Sequence, residues 1–227
     1  MFVDFHSHIL PRADHGSDST EMSLLQLENA AKAGVDTIIA TPHYYIDDNT
    51  IEEFLNRREK AFEELSKVND SGIRIIKASE VQIAIGLSEL PDLPKLCIEG
   101  TNYILLEFPQ EPWPYWIYNA VEEIREKRGL VPICVHIDRY SPRGRAKILK
   151  TGAFVQINAS ALSGFSCRKK CFVKLISENA VHLLGSDAHG DGQAEYKEFK
   201  KAVMRVKKFM PRITETSRKI LASSEIK

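Results

Sequence analysis

DTIIAT, residues 36–41, and GLVPICV, residues 129–135, decide the fold: each is a near-continuous apolar run of strand length. A strand with one face in water alternates apolar and polar residues. A run that is apolar throughout belongs in a sheet covered on both faces, the usual setting of parallel strands joined by helical crossovers. Working outward, similar runs occur at Phe2–Phe5, Val35–Ala40, Ile73–Ala78, Tyr103–Phe108, Leu130–Val135, Phe154–Ile157 and Val181–Leu184, which makes seven expected strands. Polar stretches with helical periodicity lie between most of them. EMSLLQLENAAKAG puts Leu24, Leu27 and Ala31 on one face with Gly34 as its stop, and EEFLNRREKAFEELSKV is amphipathic too. Right-handed crossovers of this kind build either a barrel or an open doubly wound sheet. No GxGxxG and no GxxxxGK followed by Ser or Thr comes after any strand, so the nucleotide signatures of the open sheet are missing and the barrel is favoured.

The chain has 227 residues, 31 Lys+Arg against 31 Asp+Glu, and an apolar fraction of 43%, the profile of a globular protein able to bury a sizeable core. No repeat, low-complexity tract or long linker divides it, so one domain over residues 1–227 is expected. Zero net charge supplies no global positive field for nucleic acid or an anionic membrane. Cys97, Cys134, Cys167 and Cys171 lack the spacing of a zinc knuckle or redox pair and read as reduced thiols. MFVDFHSHIL is too polar for a signal peptide, and no apolar run approaches the roughly 18 residues that span a bilayer. No membrane insertion and a cytoplasmic location are the expectation.

The histidines and carboxylates fall at the same place on strand after strand. His6 and His8 close the first as DFHSH, with His15 in the following loop. His43 follows the second as ATPH, Glu80 follows the third as ASE, and Glu107 ends the fourth as LLE. His136 ends the fifth as CVH, and Asp187 with His189 follows the seventh as GSDAH. Parallel strands present their C-terminal ends on one face, where loops build sites. Each histidine alone has a structural reading. Together they would be costly to bury, whereas divalent cations stabilise carboxylates and neutral imidazoles jointly. His-x-His on a strand points both rings to one side, and the same holds for Asp187 and His189 if that segment is extended. Nitrogen and oxygen donors without thiolates suit Zn, Mn, Fe or Co.

The ordered set DFHSHILP, ATPH, Glu80, LLEFP, CVHIDRY, QINASALSG and GSDAH resembles the polymerase and histidinol phosphatase (PHP) superfamily, and within it the bacterial manganese-dependent protein-tyrosine phosphatases encoded with capsule and exopolysaccharide genes. That resemblance implies an α/β fold, a distorted (β/α)7 TIM-like barrel with its metal site at the C-terminal strand ends. It implies three divalent ions, Mn2+ above all: one on His6, His8, Glu80 and Asp187, one on His15, His43 and His189, and one on Glu80, Glu107 and His136. Two departures stand out. Asp14-His15-Gly16 replaces the Asp-Asp-Gly usual in those phosphatases, and the arginine expected shortly after Asp-x-His is missing from GDGQAEYKEF.

The implied reaction is hydrolysis of phosphotyrosine by direct attack of metal-bound hydroxide, with no phosphoenzyme. Arg139 would clamp the phosphate, with Arg143, Arg145 or Arg12 able to replace the missing arginine. Asp14 and Asp138 are candidates for the general acid, Asp138 having an equal reading as a partner that orients His136 or Arg139. Asn158 and Ser160 line a pocket or simply end a strand. Trp113, Tyr115, Trp116 and Tyr118 with Phe108, and Tyr44 and Tyr45, would wall in a phosphotyrosine ring or else pack on the barrel. Cys134 and Arg139 make only C-x4-R, against the C-x5-R loop of thiol phosphatases. The expected partner is the phosphotyrosine-bearing tail of a tyrosine kinase that regulates capsule synthesis. Lys197, Lys200, Lys201, Arg205, Lys207, Lys208 and Arg212 would dock it electrostatically, or form a solvated face. A phosphatase of a small metabolite such as histidinol phosphate is the alternative, and a metal-dependent amidohydrolase a more distant one.

Overall fold

The protein is described by a computed structural model covering residues 2–163 and 167–223, with the side chain of Cys167 and residue Gly164 of the QINASALSG motif outside the described residues. It opens with β1 (Phe2–Ser7), α1 (Thr20–Ala33), β2 (Val35–Ala40), β3 (His43–Tyr44), α2 (Ile51–Ser66), β4 (Arg74–Lys77) and β5 (Glu80–Gln82). There follow β6 (Tyr103–Glu107), α3 (Trp116–Arg128), β7 (Val131–Cys134), α4 (Pro142–Ile148), β8 (Phe154–Asn158), α5 (Ser160–Ser163), α6 (Cys167–Ser177), β9 (Leu183–Gly185), α7 (Gln193–Arg205) and α8 (Met210–Ala222).

The helices begin and end where the side chains dictate. The Ser19 hydroxyl accepts from Met22 N at the start of α1, and Gly34 ends it with φ 86°, a left-handed turn that costs glycine little. Thr50 and Glu53 form a reciprocal capping box on α2.

Among the described residues every strand pairing is parallel. The order is β1-β2-β4 in one sheet and β3-β5-β6-β7-β8-β9 in the other. The expected strands are present, and two short ones are added: β3 and β5 prolong β2 and β4 beyond a break. Pro42, which has no N–H to give to a ladder, sits at the first break. Backbone bonds from Ala78 N to Ala40 O (2.9 Å) and from Glu80 N to Pro42 O (3.0 Å) carry the pairing across it.

The sheet curls. Phe5, Ile39, Ile76, Leu105, Ile133 and Leu183, one residue from each of β1, β2, β4, β6, β7 and β9, meet in a single buried cluster with Ile220 of α8. A flat sheet would hold the ends of this order far apart. Full burial of each such side chain stabilises the fold by about 1.5–3 kcal/mol. A single parallel bridge, Ser7 to Ala188, joins the end of β1 to the segment after β9. A larger core holds the helices against the other face, with Leu27, Leu65, Val121, Ile148, Ile176 and Phe199 all buried. No helix among the described residues is long and apolar enough to cross a membrane.

Candidate metal centre

The curl brings the C-terminal ends of the strands together, and the side chains carried there converge on Glu80. Its Oε2 lies 3.0 Å from His6 Nε2, 3.2 Å from His8 Nε2 and 3.2 Å from His43 Nδ1. Its Oε1 faces His136 Nε2. The two Nε2 atoms of His6 and His8 are 3.1 Å apart, as alternation along β1 requires, and Asp187 Oδ1 lies 3.6 and 3.5 Å from them. Glu107 Oε1 stands 4.0 Å from His136 Nε2. Glu80, His6, His8 and His136 are buried.

Among the described residues four overlapping groups of donor atoms fall within 4.8 Å: His8, His43 and His189; His6, His8 and Asp187; His6, Glu80 and His136; and His43, Glu80 and Glu107. This partition differs in detail from the sets that the resemblance implies. His8 joins His43 and His189, and Glu107 pairs with His43. The exposed His15 contributes by its ring, whose centroid is 4.8 Å from that of His43 and 5.1 Å from that of His189. Asp187 and His189 reach the cluster without an extended segment: Asp187 has φ 57°, and His189 Nδ1 lies 3.0 Å from the Asp187 carbonyl.

The electrostatics show what the cluster is suited to hold. Burial opposes every charge in it, yet His6 and His8 are held above the usual imidazole range because Glu80 and, at His8, Asp14 outweigh burial. Burial takes His43 down to about 4 and lifts Glu107 to about 7, the second assisted by Glu80. His43 Nδ1 is buried 3.2 Å from Glu80 Oε2 yet forms no hydrogen bond with it, and the Nε2 atoms of His6 and His8 face each other beside the same oxygen. Three imidazole nitrogens crowd the single oxygen Glu80 Oε2, more than it can pair through protons in good geometry. Divalent cations satisfy them, and a donor set of nitrogen and oxygen without sulfur fits such ions. His8 also shows the supporting contact common at metal-binding histidines, with Nδ1 2.6 Å from Asp14 Oδ2.

Asp14 also accepts from Gly16 N and His43 N, at 2.8 and 3.0 Å. Burial raises its pKa, but the contact with His8 and these backbone donors hold the carboxyl well below its ordinary range. It is built to orient His8. Asp138 faces inward and accepts from Asn158 N at 2.9 Å. Arg139 stands at the rim, its side chain 47% exposed, with Nη2 on Asp187 Oδ2 and Nη1 3.7 Å from Glu107 Oε1.

Other expected residues lie elsewhere. Tyr44 is buried edge-on against Phe54, while Tyr45 stacks on His43 with centroids 5.3 Å apart, because alternation turns neighbouring side chains to opposite faces. Trp113 packs on Phe108 and Tyr140, and lines with Arg143 a separate cavity of about 360 Å³. Arg12 is paired with Glu64. Arg145 is buried, donating to Tyr140 O. Ser160 is exposed at the start of α5. Lys197, Lys200, Lys201, Arg205, Lys207 and Lys208 are exposed, and Arg212 donates to Ile176 O. Burial pushes the Cys134 thiol up to about 12, so it carries no reactive thiolate.

Among the supporting residues that sequence reasoning missed is the buried Arg58 of α2. It donates to Ala78 O and Ser79 Oγ, both at 3.0 Å, and so clamps the break that presents Glu80. The signal was there, since Arg58 shares the apolar stripe of α2 with Ile51, Phe54, Ala61 and Leu65, where a charged residue needs a buried partner.

Known proteins place this arrangement. The capsular polysaccharide synthesis family CpsB/CapC matches residues 2–224. The tyrosine-protein phosphatase YwqE of Bacillus subtilis is 29% identical over 200 residues, 82% of this chain and 77% of that protein. A putative tyrosine-protein phosphatase, CapC of Staphylococcus aureus, is 30% identical over 199 residues, 82% of this chain and 76% of its own length. The fold is similar to a solved structure from the pair YwqE of B. subtilis and CpsB of Streptococcus pneumoniae, described as metal-dependent tyrosine phosphatases. There the TM-score is 0.76 at 24% identity, covering 99% of this chain and 93% of that one. It is also similar to the histidinol phosphate phosphatase of Lactococcus lactis solved with zinc, L-histidinol and phosphate, with a TM-score of 0.59 at 14% identity over 92% and 93% of the two chains. With nearly its whole length matched, the chain belongs to the CpsB/CapC family of capsular polysaccharide synthesis.

Proposed function

We propose that this protein is a metal-dependent protein-tyrosine phosphatase. The observation that carries the reading is the convergence of His6, His8, His43 and His136 on the two oxygens of the buried Glu80, with Arg139 exposed at the rim. Relatives that bear this activity by name, over most of their length, support it. The finer reading is a distorted (β/α)7 barrel forming one domain over residues 1–227, with His6, His8, His15, His43, Glu80, Glu107, His136, Asp187 and His189 holding three ions, Mn2+ in the cell. We place it in the cytoplasm, acting on the phosphotyrosine tail of a tyrosine kinase that controls capsule synthesis.

Divalent ions held there supply a water-derived nucleophile at neutral pH and neutralise phosphoryl charge. The chain does the rest. Arg139 turns its fork from Asp187 to two phosphoryl oxygens, fixing the ester at the rim. Tyr45, stacked on His43, offers a ring face to the aromatic leaving group. Asp14 stays ionised and keeps His8 in one orientation. A tyrosinate leaves with a pKa of about 10, so its departure needs little proton donation. The test is phosphate release from a phosphotyrosyl peptide against phosphoserine peptide and histidinol phosphate on one plate. Preference for phosphotyrosine is expected; turnover of histidinol phosphate alone would replace this reading with the metabolite phosphatase.

A further inference from the structure

Between His136 and Asp187 runs a chain of amides that no metal-ligand motif includes. Gln156 of β8 is fully buried. Its Oε1 accepts from His136 N at 2.6 Å, and its Nε2 donates to Asn158 Oδ1 at 3.0 Å. Asn158 Nδ2 then donates to Asp187 Oδ2 at 2.8 Å.

The polarity of this chain is forced from both ends. A backbone N–H can only donate, so Gln156 must turn its oxygen to His136 and its NH2 to Asn158. Asn158 must then turn its own oxygen to Gln156 and its NH2 outward, where it meets a carboxylate that can only accept. The two residues at the ends are also the two candidate ligands in the left-handed region, His136 with φ 35° and Asp187 with φ 57°. Such backbones are strained for residues with a side chain and persist where their surroundings determine them. Gly185 leaves room for the relay: a Cβ there would lie 2.4 Å from Gln156 Nε2 and 2.7 Å from His6 Cβ.

We propose that Gln156 and Asn158 are positioning residues that set the metal affinity of the centre: by engaging Asp187 Oδ2 they aim Oδ1 at His6 and His8, and by engaging His136 N they fix the backbone that presents that ring. The inference rests on the metal-phosphatase reading and adds to it residues that touch neither ion nor substrate.

The experiment is Mn2+ titration by calorimetry of the chelated, full-length protein and of Gln156→Glu, Gln156→Leu, Asn158→Ala and the double variant Gln156→Leu/Asn158→Ala, with folding checked by circular dichroism. Gln156→Glu keeps the shape of the side chain but gives it no donor, so Asn158 must turn its amide and set Oδ1 against Asp187. If Gln156 merely filled space, the added negative charge would leave Mn2+ affinity unchanged or raise it, so a loss reports the turned amide. Each single variant is expected to bind Mn2+ about 10–100-fold more weakly. The double variant should be no weaker than the worse single one, because one relay is broken once. Folded variants that keep the parent affinity, or losses that multiply in the double variant, overturn the proposal. If Gln156→Leu does not fold, Gln156→Glu and Asn158→Ala decide alone. A parent protein that binds no Mn2+ overturns the metal-centre reading and this proposal with it, whereas equal binding by parent and variants overturns the proposal only.

Discussion

Arg139 Nη2 rests on Oδ2 of Asp187 while Oδ1 of the same carboxylate turns to His6 and His8, so one residue joins the rim of the site to its floor. A half-exposed guanidinium held by a carboxylate is preorganised yet free to exchange partners when a phosphate dianion arrives. Arg139→Ala should lower kcat/KM for a phosphotyrosyl peptide by about 10²–10³ while leaving Mn2+ affinity within a few-fold. Arg139→Lys, which keeps the charge without the fork, should recover only part of the loss. Steady-state kinetics beside a metal titration separates the two effects.

Cys134 lies buried in β7 with its thiol pushed to about 12. At neutral pH almost none of it is thiolate, the form that attacks. Cys134→Ser is expected to retain activity, with a stability cost of about 1 kcal/mol from a polar group in an apolar site. Iodoacetamide should not inactivate the native protein.

Glu107 sets a pH dependence. In the metal-free cluster burial and the neighbouring Glu80 lift its carboxyl to about 7. A carboxyl with a raised pKa is protonated below that value, and an ion must displace the proton to bind. Metal affinity should therefore weaken as pH falls through about 7, with proton release on binding larger at pH 6 than at pH 8. Calorimetry in buffers of differing ionisation heat counts those protons.

Gly185 is flanked so closely by Gln156 and His6 that even a methyl has no place. Gly185→Ala is expected to destabilise the protein by about 1–3 kcal/mol and to weaken metal binding. Urea unfolding of the chelated protein and Mn2+ titration measure the two losses.

Much of this was legible in the chain itself. Apolar runs such as DTIIAT located β2, and Gly34 and the Thr50–Glu53 pair marked helix ends, because burial and backbone hydrogen bonding act locally. The ligand candidates were legible because strand ends share a face. What escaped depended on packing between distant segments. The extensions β3 and β5 are too short to show a period, and Pro42 masks the first. Tyr44 and Tyr45 were both named, and the alternation that pairs His6 with His8 would have chosen Tyr45, which stacks on His43. Arg58 and Gln156 gain their roles only once α2 and β8 lie beside the centre. Pairing of donors into groups likewise depends on distances that no spacing in the sequence encodes.

The most direct measurement is the rate of phosphate release from a phosphotyrosyl peptide by the Mn2+-loaded protein, repeated after chelation and with His136→Ala. Turnover by the loaded protein that falls at least 100-fold in both other samples is the expected result. Turnover that survives chelation, or that His136→Ala leaves intact, would contradict a hydrolysis that depends on the centre gathered around Glu80.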